Sequence, residues 1–135
     1  MARKVKAIIE RASDGNYSVY MDADDMDYLV TGTGETAEKA IEIFMGGYND
    51  TKRFYNEEGK FFEEAEFEFV YDMASFLSYF SKAFSLAGLS RITGINKSQL
   101  SHYMTGHRTP SASTVQKIQS SVQSFAKELS QVRFS

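Results

Sequence analysis

Between Leu86 and Ser111 the chain reads LAGLSRITGINKSQLSHYMTGHRTPS, and few folds can accommodate this stretch. Leu89 and Ile92 recur at helical spacing over Ala87–Thr93, with the small Ser90 at a close-packing position. Gly94 ends that helix, because only glycine takes a left-handed conformation without steric cost. Ile95 plugs the corner. Asn96 is a strong N-cap for a second helix, Lys97–Thr105, which points Leu100, Tyr103 and Met104 inward. Its outward residues are Lys97, Ser98, Gln99, Ser101 and His102, and it carries no acidic residue.

Two short helices at a tight glycine corner, the second with an acid-free polar face, suit a helix laid in the DNA major groove. Leu89, Ser90, Gly94, Ile95, Leu100, Tyr103 and the trailing Gly106-His107-Arg108-Thr109-Pro110-Ser111 match the Cro/C1-type (XRE-like) helix-turn-helix family at its spacing. The segment resembles that family, although Leu86 stands near the place where such domains often carry a glutamine that grips a phosphate. By position in the motif, Lys97, Ser98, Gln99, Ser101 and His102 are the expected base-contacting residues. Arg91, Asn96, His107 and Arg108 are the expected phosphate contacts. Lys82, Lys117 and Lys127 read as solvated surface cations.

The net charge of −3 argues at first against a partner as acidic as DNA. Dividing the chain at Asp72 reverses that. Residues 1–72 carry 8 Lys/Arg against 17 Asp/Glu, a net of −9. Residues 73–135 carry 7 Lys/Arg against Glu128 alone, a net of +6. Such asymmetry suggests two partners of opposite sign, DNA for the basic half and something basic for the acidic half. The chain is long enough for two small domains, each with a modest core. It holds no cysteine, so neither disulfides nor thiolate metal sites are available. It opens without a signal-peptide pattern and has no apolar run of membrane-spanning length, so a soluble, cytoplasmic protein is expected.

In the acidic half, Val5, Ala7 and Ile9 alternate with Lys4, Lys6 and Glu10, as in a half-buried strand. Asp14-Gly15-Asn16 supplies a turn, and Tyr17, Val19 and Met21 form the returning strand. The Asp22–Tyr28 loop leads to a third short strand near Leu29–Thr31. Gly32-Thr33-Gly34 is then expected to open a helix capped by Thr36, with Ala37, Ala40, Ile41, Phe44, Tyr48 and Tyr55 on one face. Gly46-Gly47 weakens its middle. In the last strand Ala65, Phe67, Phe69 and Tyr71 alternate with Glu64, Glu66 and Glu68.

The order is β-β-β-α-β. Together with Gly15-Asn16-Tyr17-Ser18-Val19 and Thr31-Gly32-Thr33-Gly34-Glu35-Thr36-Ala37-Glu38-Lys39-Ala40, it resembles the N-terminal domain of HicB antitoxins, many of which append a helix-turn-helix. Where that family often shows a Pro-Asp-x-Pro-Gly-type loop, this chain has Asp22–Tyr28. The expected fold is therefore α+β, with a partial RNase H-like (HicB) domain over residues 1–72. An all-α helix-turn-helix domain with a long C-terminal helix is expected over residues 73–135. The resemblance implies an antitoxin that masks a small basic HicA-like ribonuclease toxin and represses its own promoter. On charge grounds the toxin-facing candidates are Glu64, Glu66, Glu68, Asp24 and Asp25; the same glutamates also fit the solvated face of a strand.

Asp22, Asp24, Asp25 and Asp27 do not make a complete calcium loop. Its fifth, sixth and twelfth positions would be Met26, Asp27 and Thr33, where Asp or Asn, Gly and Glu are required. No nucleophile set accompanies His102 and His107, so no metal, no cofactor and no catalytic activity are expected. Val115, Ile118, Val122, Phe125, Leu129 and Val132 are spaced 3-4-3-4-3 on a helix that Ser111 can cap. Val115 and Ile118 are expected to close the helix-turn-helix core. Val122, Phe125, Leu129 and Val132 are the expected dimer interface of a repressor that reads an inverted-repeat operator. Two other classes fit the same residues: a stand-alone regulator whose first half senses a ligand or oligomerises, and a residual nuclease built on the RNase H-like half.

Overall fold

The computed structural model describes residues 2–135. Packing divides them after Asp72, with a second unit over Met73–Ser135. Among the described residues of the first unit, the order is β1 (Arg3–Arg11), β2 (Tyr17–Met21), β3 (Thr31–Gly34), α1 (Ala37–Glu57) and β4 (Ala65–Tyr71). The strands form one sheet in the order β3-β2-β1-β4. β1 runs antiparallel to β2 and parallel to β4, with Arg3 opposite Ala65 and Ile9 opposite Tyr71.

Alternation decides what each strand buries. Val5, Ala7 and Ile9 of β1 and Tyr17, Val19 and Met21 of β2 are buried. Phe67 and Phe69 of β4 set their rings 4.8 and 5.6 Å from Phe44 of α1, edge to face. The sheet therefore has one face on α1.

Gly32-Thr33-Gly34 lies in β3, not at the entrance of the helix as its composition suggests. Gly32 pairs with Val19, and a Cβ on it would stand 2.2 Å from the Ala40 carbonyl oxygen and 2.5 Å from the Phe44 nitrogen. Only glycine lets α1 approach the strand so closely. The helix starts where expected, Thr36 Oγ1 accepting the Lys39 N–H at 3.0 Å. It continues unbroken through Gly46-Gly47 to Glu57 because its buried residues, Ala37, Ala40, Phe44 and Tyr48, hold it to the sheet.

Tyr28 is buried despite its place in an acidic loop. Its ring stacks on Phe62 with centroids 4.7 Å apart, and its hydroxyl donates to the Glu63 carbonyl at 2.6 Å. Burial foremost pushes its phenol from 10.0 up to about 12, and burial followed by the hydrogen bond to Glu10 does the same for Tyr20. Such a phenol stabilises the fold below its unfolded value, and that contribution is lost as pH rises to the folded one. The stability of this unit should therefore fall between pH 10 and about 12. Tyr28→Phe should flatten the fall and remove about 1 kcal/mol at neutral pH. Urea midpoints measured across that window check both effects; an unchanged slope in the variant would place the titration elsewhere.

The second unit is helical: α2 (Met73–Tyr79), a 3-10 turn (Phe80–Lys82), α3 (Leu86–Thr93), α4 (Lys97–Met104) and α5 (Ala112–Ser130). Its core is Leu77, Leu89, Ile95, Leu100, Tyr103 and Ile118, with Met73, Phe76, Phe84, Leu86, Met104 and Val122 packed around them. Leu77 comes from α2, a helix that is not among the elements expected from the sequence. α5 begins as expected, Ser111 Oγ accepting the Thr114 N–H at 3.2 Å. It ends at Ser130, so Val132, expected as the last residue of the helical stripe, lies beyond the helix.

Candidate nucleic-acid interface

Three residues fix the corner between α3 and α4. Gly94 sits at φ 75° and donates its N–H to the Ser90 carbonyl at 2.8 Å. Ser90 Oγ donates to the Ile95 carbonyl at 2.6 Å. Thr93, buried, donates its hydroxyl to the Leu89 carbonyl at 2.7 Å and accepts the Ile95 N–H at 3.1 Å. The hydroxyls of Ser90 and Thr93 and the N–H groups of Gly94 and Ile95 are thereby matched, so the angle between the helices is set by covalent and hydrogen-bond geometry together.

Asn96 Oδ1 caps α4 by accepting the Ser98 N–H at 2.8 Å. From the cap onward the helix buries Leu100 and Tyr103 and half-buries Met104. By helical rotation the centre of the opposite face is Ser98 and His102, flanked by Lys97 and Ser101 on one side and Gln99 on the other. Lys97, Ser98 and Gln99 are exposed. Ser101 and His102 are half-buried, not fully exposed as the sequence suggests, since the chain returns over the end of α4. There the Arg108 N–H donates to the His102 carbonyl at 3.2 Å and the His107 ring stands 4.9 Å from that of His102.

Arg91, His107 and Arg108 are exposed around this helix, and Asn96 has its side-chain oxygen engaged in the cap. Leu86, at the start of α3, packs against the core. Lys117 of α5, which reads as an ordinary surface cation, comes close to the corner: its Nζ would be 3.8 Å from a Cβ on Gly94. Only the tertiary packing of α5 on α3 reveals it, since nothing local in the sequence distinguishes Lys117 from Lys127.

Residues 82–120 match the family model described as helix-turn-helix. The segment is a helix-turn-helix. No curated protein matches the chain, and no solved structure does. The matched helix-turn-helix spans α3, α4 and the first half of α5, and Leu77 of α2 completes its core from outside the match.

The residues singled out for dimerisation divide along α5. Val122 packs against the helix-turn-helix core, and the Phe125 ring lies 6.0 Å from that of Phe84. Leu129 and Val132 are exposed. The acidic candidates of the first unit divide as well. Asp25 accepts from Arg3 at 2.6 Å, and Arg3 holds its carboxyl below the usual range. Glu64 is bound by Lys52 of α1, which lowers its carboxyl likewise. Asp24 is exposed in the loop beside them. Glu66 and Glu68 stand exposed on the sheet face away from α1, in register with Lys4 and Lys6. The three glutamates that alternate in the sequence are thus not presented as one row of equivalent charges. Among the described residues, no group of three or more His, Asp or Glu could hold a metal ion, and no helix is long and apolar enough to cross a membrane.

Proposed function

We propose that the chain is a DNA-binding transcriptional regulator of the HicB-like antitoxin type, with α4 as its recognition helix. One observation carries the reading: an acid-free polar face on α4, aimed by a fully hydrogen-bonded corner, within a segment that matches a helix-turn-helix model. In the major groove, Ser98 and His102 would meet base edges first. Lys97 could donate to guanine O6 or N7, and Gln99 could pair with adenine. Arg91, His107 and Arg108 would bind phosphates and set the register.

A single short helix reads too few base pairs to select one operator from a genome of competing sites. A dimer with recognition helices about 34–36 Å apart reads an inverted repeat. Leu129, exposed in the last turn of α5, and Val132, exposed just beyond the helix, are the residues offered for that contact. The acidic first unit would bind a small basic toxin of HicA type, so that one chain represses its operon and neutralises the product. This part of the reading rests on the β-β-β-α-β order and the charge of residues 1–72, with 17 acidic against 8 basic residues.

Fluorescence anisotropy with the DNA upstream of the chain's own gene, a scrambled duplex and a salt series tests the DNA arm. Selective binding is expected. Lys97→Ala should weaken it about tenfold, corresponding to roughly 1–3 kcal/mol for a base contact. Lys127→Ala should leave it unchanged. Equal affinity for the two duplexes, with a steep salt slope only, would reduce the interaction to nonspecific phosphate contact and overturn the repressor reading.

A further inference from the structure

We infer that the C-terminal end of α1, with the segments on either side of it, is a docking surface for a basic protein carrying an apolar recess. The inference rests on the reading that the first unit takes a basic partner, and it moves the contact away from the Glu66–Glu68 face of the sheet. Phe61 is 83% exposed, Leu29 71% and Phe54 51%. Large apolar side chains grouped in water mark interaction sites more often than chance exposure does.

These three are held in place by what lies beneath them. Phe54 sets its ring 6.4 Å from Tyr55, Tyr55 lies 5.4 Å from Phe62, and Phe62 stacks on Tyr28. Leu29 follows Tyr28 in the chain and Phe61 precedes Phe62, so each exposed residue is the outward neighbour of a ring in one packed cluster. Lys60 covers part of Phe54, its Nζ 5.8 Å from the ring centroid. Aromatic anchors on a rigid base lose little conformational freedom on binding, which is why such residues dominate interface energetics.

Charge selects the partner. Residues 22–29 and 54–64 hold 8 acidic side chains and one basic, Lys60. Arg3 takes up Asp25 and Glu63, and Lys52 takes up Glu64. Asp27, Glu57 and Glu58 remain exposed around the rings. A second copy docking through the same surface would set acid against acid, whereas a basic protein would meet complementary potential and be steered to the anchors.

The test is titration of the 15N-labelled full chain with a helical lysine–leucine peptide of 14 residues, and with an oligolysine of equal charge. The peptide should shift the amides of Leu29, Phe54 and Phe61. It should bind at least about tenfold more tightly than oligolysine, and Phe54→Ser with Phe61→Ser should remove that advantage. Glu57→Lys with Glu58→Lys, which leaves the rings intact, should weaken binding and flatten its salt dependence. Both replacements are at exposed positions, and an unchanged melting temperature verifies the fold. Shifts confined to Lys4, Lys6, Glu66 and Glu68 would overturn this surface while sparing the basic-partner reading; binding of neither peptide would overturn both. Equal binding of the two peptides would remove the role of the rings. Concentration-dependent broadening at Phe54 and Phe61 in the protein alone would replace the basic partner with a second copy.

Discussion

Gly32→Ala is expected to unfold the acidic unit or to leave it barely stable. The added methyl would stand 2.2 Å from the Ala40 carbonyl oxygen and 2.9 Å from the Phe44 Cα, and both are backbone atoms of α1. A side chain could rotate away; a helix backbone cannot, so α1 must lift from the sheet. That motion opens the contacts of Phe44 with Phe67 and Phe69, which are the centre of the core. Overpacking of this kind costs about 3 kcal/mol or more, a large part of the roughly 5–15 kcal/mol that stabilises a domain. Gly46→Ala is the matched control. Nothing lies within 4 Å of its added Cβ, and the position is helical, so it should stabilise by about 0.5–1 kcal/mol. Urea denaturation followed by tyrosine fluorescence reads both variants. A wild-type midpoint for Gly32→Ala would mean that α1 is not seated on β3 as described.

Leu100→Ala should abolish DNA binding without touching any residue proposed to face DNA. Leu100 is 1% exposed and, with Tyr103, carries α4 into the core of Leu77, Leu89, Ile95 and Ile118. Truncating a buried leucine typically destabilises by about 2–5 kcal/mol, because the cavity left behind collapses only partly. In a helix of 8 residues, too short to persist by its own propensity, loss of that anchor frees the whole recognition surface. Loss of binding should track loss of helicity by circular dichroism. Lys97→Ala, by contrast, should weaken binding with the melting temperature preserved. Retained operator affinity in Leu100→Ala would show that α4 is held by something other than its apolar face.

The helix-turn-helix was legible because its determinants are local. Gly94, Asn96 and Ser111 each act on residues within one turn of themselves, and each occupies the conformation or makes the cap its identity implies. Alternation likewise revealed β1, β2 and β4. The passage from β3 to α1 lies a few residues later than its composition suggests: glycine has no side chain with which to show a period of two, and Gly32 is explained only by Ala40 and Phe44 on the facing helix. α2 escaped although Met73, Phe76 and Leu77 stand at helical spacing, because 7 residues give only two turns of that period. The burial of Tyr28 and Phe62 is hidden in the sequence for a different reason. Their partners are 34 positions apart, and only the closed fold makes them neighbours. The long-range ion pairs of Arg3 and Lys52 were equally invisible, and they separate Asp25 and Glu64 from the acids left in water.

The parallel pairing of β1 with β4 has a consequence for the order of events during synthesis. Arg3 pairs with Ala65, so β1 waits for the last strand of its own unit. Until residue 71 has emerged, β1 has β2 on one side and an open ladder on the other, the arrangement that invites pairing with other chains. Closing so long a loop is slow compared with forming a hairpin or a helix. The basic unit, with its short sequence separations, can form as quickly as it is made. A nascent chain stalled before β4 thus exposes an adhesive edge, which makes translation through residues 65–71 the step at which folding and aggregation compete.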